Sequence, residues 1–228
     1  MNCATAARYA LTGAVVILWS SAAWAGDSQL WTGGSATIKL TDRWSLSQDV
    51  TARFSDKRNG LYEIEANSLV GFQLNKTLSL WVGYDHDPQY SHGHVTVMEH
   101  RAVQHLVSSD LGKLAGGRFS GRIRVEQRRR EGVDGTGWRV RPYVRYALPL
   151  GRNAKTALVV SEEPFFDVNT TAFQTVRGLE RLRSFAGIST PLGRNLSADI
   201  GYLNQHGFVP KGRDTSDNVA FVSIGVKL

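Results

Sequence analysis

RFSGRIRVEQRRREGVDGTGWRVRPYVRYALPL, residues 118–150, alternates with a period of two on both sides of a central turn. Arg122, Arg124, Glu126 and Arg128 share one face, and Phe119, Ile123 and Val125 the other. Past GVDGTG the pattern resumes, with Arg139, Arg141, Tyr143 and Arg145 on one side and Trp138, Val140, Val144, Tyr146 and Leu148 on the other. Consecutive side chains of a strand point to opposite faces, so this stretch reads as a hairpin with one charged and one apolar face. A soluble barrel turns its apolar face inward, whereas a barrel in lipid turns it outward.

The same rhythm extends in both directions. Trp44, Leu46, Val50, Ala52 and Phe54 oppose Ser45, Ser47, Asp49, Thr51 and Arg53. Val70, Phe72 and Leu74 oppose Glu65, Asn67 and Gln73, and Leu78, Leu80, Val82 and Tyr84 oppose Ser79, Gly83 and Asp85. Towards the C-terminus, Arg177, Arg181, Arg183 and Phe185 fall in one register, and Val222, Ile224, Val226 and Leu228 share a side of the last segment. The facing of segment five, Val97 to Asp110, is ambiguous. No segment has a helical period, so the chain is all-β.

Two regularities favour lipid. Short turns such as Asn75-Lys76 alternate with longer polar loops such as His86 to Thr96, as in outer-membrane barrels with short periplasmic turns. Aromatics of the apolar face gather near segment ends: Trp44, Phe72 and Phe119 at one, Phe54, Tyr84, Trp138 and Tyr202 at the other. Ten steps from Trp44 to Phe54 span about 33 Å of strand at about 3.3 Å per residue. Tilted by roughly 40°, that becomes about 25 Å, the height of the apolar band of such barrels. The expected fold is a transmembrane antiparallel up-and-down β-barrel of 10–12 strands. Eleven segments are legible, but single-chain bacterial barrels have even counts, which favours twelve.

The charged face then looks inward, and buried arginines need water or carboxylates. Arg122, Arg124, Glu126, Arg128, Arg139, Arg141, Tyr143, Arg145, Arg181 and Arg183 are the expected lumen-lining residues. One plausible hairpin register sets Glu126 opposite Arg141 and Arg124 opposite Tyr143. Seven lysines against twenty arginines favour forked ion pairs over loose surface charge.

Residues 1–25 read as an export signal, with Arg8 before the apolar stretch Leu11 to Trp19 and a small-x-small site at Ala23-Trp24-Ala25. Sec export with cleavage after Ala25 leaves 228 − 25 = 203 residues, 26–228, as a single barrel domain, and takes the net charge from +7 to +6. The only cysteine, Cys3, leaves with the signal, so no disulfide, thiol nucleophile or cysteine metal site is expected. The basic residues are spread through alternating strands rather than gathered into a patch, which argues against nucleic acid.

Five stretches carry a family resemblance: DSQLWTGGSATIKLTDRWSLS from Asp27, EHRAVQHL from Glu99, RIRVEQRRRE from Arg122, SEEPFFDVN from Ser161 and GYLNQH from Gly201. In content and order they resemble the bacterial outer-membrane barrel family catalogued as domain of unknown function 2490. The resemblance implies an outer-membrane β-barrel and brings no biochemical activity with it. Leu228 departs from the terminal aromatic common in outer-membrane barrels.

Candidate chemistry is sparse. His86, His92, His94 and His100 cluster beside Asp85 and Asp87, and His92 and His94 suit one side of an extended loop. Nothing in the sequence fixes their geometry, so no metal, cofactor or catalytic residue is assigned. Asp85, His86 and Asp87 form the best rim candidate for an acid–base pair. Glu99-His100-Arg101 and Ser161-Glu162-Glu163 read as hydrogen-bonding groups of lumen or rim, and no G-x-S-x-G elbow is present.

The leading functional expectation is a non-enzymatic outer-membrane barrel, either a narrow pore or a structural or binding barrel. Its expected partners are outer-membrane lipid and lipopolysaccharide, and the barrel-assembly machinery during biogenesis. If it conducts, the arginine excess predicts anion preference. The alternatives are a rim enzyme acting on lipid A or peptide, and a soluble periplasmic binding barrel.

Overall fold

A computed structural model describes residues 26–152 and 154–228; the expected export signal lies outside them. The described residues form eleven strands: β1 Ser28–Lys39, β2 Trp44–Ser55, β3 Gly60–Gln73, β4 Leu78–Ser91, β5 His94–Leu114, β6 Gly117–Arg130, β7 Val133–Pro149, β8 Ala157–Asp167, β9 Gly178–Pro191, β10 Leu196–Gly207 and β11 Thr215–Lys227. Each pairs antiparallel with its neighbour in sequence, and the sheet closes on itself.

Closure corrects the preference for twelve strands. An all-antiparallel cylinder needs an even number, because each strand reverses the one before it. Here β1 and β11 run in the same direction and meet in a parallel ladder from Ser28↔Asn218 to Thr37↔Lys227. An odd count therefore leaves no free edge, the condition that closure satisfies in any barrel.

The connections also depart from expectation. One rim, the turn end, carries residues 40–43, 74–77, 115–116 and 192–195 together with the C-terminus. The opposite loop end carries 56–59, 92–93, 131–132, 168–177 and 208–214, of which only the last two are long. The expected loop 86–96 is mostly strand. His92 (φ 51°) and Gly93 (φ 79°) turn the chain in two residues, because positive φ at both central positions matches the twist of the flanking strands. β5, at 21 residues, and β7, at 17, are the longest strands.

Alternation sets the facing throughout. Ile123 (51% exposed), Val144 (45%) and Ile224 (43%) lie on the outer wall, while Arg124 (3%) and Glu126 (0%) lie inside. Trp44 packs edge-on against Phe72 at 4.9 Å and Phe119 tilts over Tyr146 at 4.8 Å, both near the turn end. Trp138 stands exposed towards the loop end, and Tyr84 and Tyr202 stand exposed near the middle of their strands. The interior is divided. Trp31, Leu203 and Val219, with Phe185 and Phe221, make an apolar lobe along the β1–β11 seam, and charged side chains fill the side facing it.

Candidate functional site

The charged lobe is built from arginines of β2, β5, β6 and β7 and carboxylates of β3, β4, β5, β6 and β8. Arg101 donates from Nη1 to Asp85 Oδ2 (3.0 Å), from Nε to Glu99 Oε1 (2.6 Å), and from Nη2 to Asp87. Arg124 donates from Nη2 to the same Asp85 oxygen at 2.9 Å. Its Nε lies 2.6 Å from Glu126 Oε1 without the alignment of a hydrogen bond, a Coulombic contact only. Arg141 bridges Glu126 (2.7 Å) and Glu163 (3.0 Å), and Arg122 reaches Glu163 from the turn-end side. Glu65 pairs with Arg53 and lies 3.7 Å from both Arg101 and Arg124.

Each of these buried charges has an opposite charge beside it, but Asp85 Oδ1, Asp87 Oδ1 and Glu126 Oε2 accept no hydrogen bond and the Nε groups of Arg53, Arg124 and Arg141 donate none among the described residues. Guanidinium forks suit this pairing, since each reaches two or three carboxylates at once. Asp85, Asp87, Glu99 and Glu126 are fully buried.

A second tier lies nearer the loop end. Glu99 takes hydrogen bonds from Arg101, Arg128 and Arg130. Arg139 clasps Asp167 at 2.6 and 3.3 Å and reaches Glu180, which also accepts from Arg181 at 3.0 Å. Gln174, from the connection 168–177, folds inward and accepts from Arg128 Nη1 at 3.0 Å. Its own amide nitrogen donates to the carbonyls of Trp138 and Asn169, tying the loop down over the charged lobe.

Of the ten residues expected to line the lumen, Arg124, Glu126, Arg128, Arg139, Arg141 and Arg183 are buried in the interior. Arg122, Tyr143, Arg145 and Arg181 are half-buried at its ends. The proposed hairpin register is corrected by two residues: Arg124 faces Arg141, Glu126 faces Arg139, and Arg122 faces Tyr143. The two-residue connection 131–132, with Asp134, Gly135 and Thr136 extending β7 instead of forming the turn, and a bulge between Arg128 and Arg130 together set this register. The ambiguous fifth segment resolves with Glu99, Arg101, Val103 and His105 inward.

The carboxylates Asp87, Asp167 and Glu65 were missed as partners, although each has the inward parity of its strand. Trp31 and Phe165 were missed too. They are large aromatics on an otherwise polar face, and pattern reading gives no reason for them.

Asp85 and Asp87 point inward, whereas His86 stands on the outer face with Tyr84 and His100, its ring 5.7 Å from that of His100. The expected rim pair is thus split across the wall by the period of two. His100 accepts or donates towards Tyr84 and Glu131, and His92 and His94 flank the β4–β5 turn. Among the described residues no group of three or more His, Cys, Asp or Glu side chains is arranged to hold a metal ion.

Fold and interior together define a closed β-barrel with an apolar exterior and an ion-paired core. The chain belongs to the family described as Protein of unknown function (DUF2490), whose model matches residues 28–216. It is 29% identical over 180 residues to an uncharacterized protein of Methylorubrum extorquens, covering 78% of each chain. No solved structure matches it.

Proposed function

We propose that the chain is an exported outer-membrane β-barrel, without enzymatic activity, that acts as a binding barrel rather than an open channel. The observation that carries this reading is the inversion of the wall. Ile123, Val144 and Ile224 face outward around a sheet whose inward side holds Arg101, Arg124, Arg141 and their carboxylates. Soluble monomers rarely expose contiguous apolar surface beyond a few hundred Å². A bilayer covers such a wall at no cost, and the aromatics near both ends suit its two interfaces. Lipid and lipopolysaccharide are then the partners of the outer face.

The binding role is favoured over conduction by the middle of the barrel. Arg101, Arg124 and Arg141 interlock there with Glu65, Asp85, Glu126 and Glu163 across the lumen. An ion crossing that tier has to part pairs that are already desolvated, a large barrier at low local dielectric. Fractionation tests the location: the protein is expected in the outer membrane, with gel mobility that shifts on heating. Planar-bilayer recordings test the role: no discrete conductance is expected. Recovery in the soluble periplasmic fraction without detergent overturns the placement, and stable unitary currents overturn the closed interior.

A further inference from the structure

Beyond the ion-paired middle, at the loop end, the barrel encloses a chamber of about 250 Å³ with an almost wholly polar lining. Nine arginines line it against three carboxylates, Glu63, Glu65 and Asp217. Most of those arginines are already committed to carboxylates of the wall. Arg183 is not. It is 9% exposed and makes no ion pair among the described residues. Its Nε donates to Gln205 Oε1 at 2.9 Å, and neither Nη group donates a hydrogen bond among the described residues.

Arg183 is nevertheless fixed in place. Its guanidinium carbon lies over Trp31 at 4.6 Å and over Phe165 at 4.6 Å. Arg53 lies over the same Trp31 ring and Arg141 over the same Phe165 ring, at 4.4 and 4.2 Å. Trp31 is itself held by Gln29, which accepts from Trp31 Nε1 (2.8 Å) and from Tyr62 Oη (2.7 Å). Aromatic faces stabilise a cation without consuming its N–H groups, so the forked Nη edge is left available. A charge this well buried, with no carboxylate in ion-pair contact among the described residues, is costly unless an anion completes it. The chamber also has a way in. It shares Gln29, Arg58, Arg181, Gln205 and Asp217 with a wider cavity of about 800 Å³ that is bordered by residues 207–210 and 214–217.

We propose that this chamber binds a phosphate-type oxyanion, anchored on the Nη groups of Arg183 with Arg181 beside it. The inference rests on the binding-barrel reading above, and it names the chemistry of the ligand. A tetrahedral oxyanion presents several acceptors to forked guanidinium groups, which a chloride ion does not. The phosphate can arrive free or as the headgroup of a sugar or lipid.

Calorimetry on the full barrel, folded in neutral detergent, tests the site with inorganic phosphate, a hexose phosphate and chloride as separate titrants. Saturable one-site binding of phosphate is expected, weakening as salt rises. Arg183→Gln is expected to weaken it at least tenfold and Arg183→Lys less, whereas Arg194→Gln in the β9–β10 turn leaves it unchanged. Heat-dependent gel mobility establishes that each variant is folded. Tighter binding of the hexose phosphate assigns a headgroup source, and equal binding assigns the free ion; either outcome supports the site. No saturable heat from a folded wild-type barrel overturns it while leaving the membrane placement standing. Equal affinity of chloride and phosphate, or of wild type and Arg183→Gln, also overturns it. A barrel that binds phosphate but fractionates as a soluble protein overturns the placement alone.

Discussion

Arg141 donates from Nη1 to Glu126 Oε1 at 2.7 Å, although the residue directly across the ladder from Arg141 is Arg124. Two arginines therefore oppose each other on neighbouring strands, a juxtaposition that is destabilising by itself. Glu126, two residues along β6 from Arg124 and diagonal to Arg141, makes it tolerable, with Asp85 also pairing with Arg124 and Glu163 with Arg141.

Removing that shared carboxylate is expected to be costly. Glu126→Gln leaves two buried guanidinium groups short of a counter-charge and should destabilise the barrel by about 3–5 kcal/mol. Combining it with Arg124→Gln should cost less than the sum of the two single changes, because the double variant removes the stranded charge as well. Urea unfolding in lipid vesicles reads both. Additive losses would show that the pair is not coupled.

Charge on the outer wall gives a second expectation. Ile123 lies near the middle of β6 on the outward face. Ile123→Arg should cost about 2–4 kcal/mol if that position meets the centre of a bilayer. The same substitution on a water-facing wall would be close to neutral. Comparing folding yield and unfolding in vesicles separates the two.

The seam is open to a covalent test. Thr32 and Val222 are partners in the parallel β1–β11 ladder, both with outward parity. The residues from 26 onward contain no cysteine, so Thr32→Cys with Val222→Cys creates a single pair. Oxidation is expected to link them, giving a crosslinked peptide by mass spectrometry and a mobility change that reductant reverses. A barrel closed by an additional strand would keep the two thiols apart and leave them free.

Acid acts on the long connection after β10. Asp214 accepts from the Val209 amide at 3.0 Å and from His206, and these hold its carboxyl below the ordinary value of 3.8. A depressed carboxyl stabilises the folded loop above its unfolded pKa, and the contribution is lost as pH falls through the folded value. The protection factor of the Val209 amide should therefore be high at neutral pH and fall below about pH 4. Asp214→Asn should abolish most of that pH dependence.

The period of two in RIRVEQRRRE and WRVRPYVRY was enough to say which side chains face together, since the strand geometry that sets it is local. From it follow the all-β class and the separation of a charged face of Arg124, Glu126 and Arg141 from an apolar face of Ile123 and Val144. Local pattern does not encode which residue sits across the ladder. A two-residue turn in place of a longer one, together with the bulge between Arg128 and Arg130, set Glu126 opposite Arg139 rather than Arg141 and brought Arg124 against Arg141. Nor does it encode closure. Whether an eleventh strand meets the first in parallel depends on the stagger accumulated around the whole cylinder, a property of no single segment. The same long-range geometry carried Trp31 and Phe165, 134 positions apart, each to 4.6 Å from the Arg183 guanidinium that lines the chamber. Facing is thus written in consecutive residues, while partners, strand number and the chamber exist only once the sheet has closed.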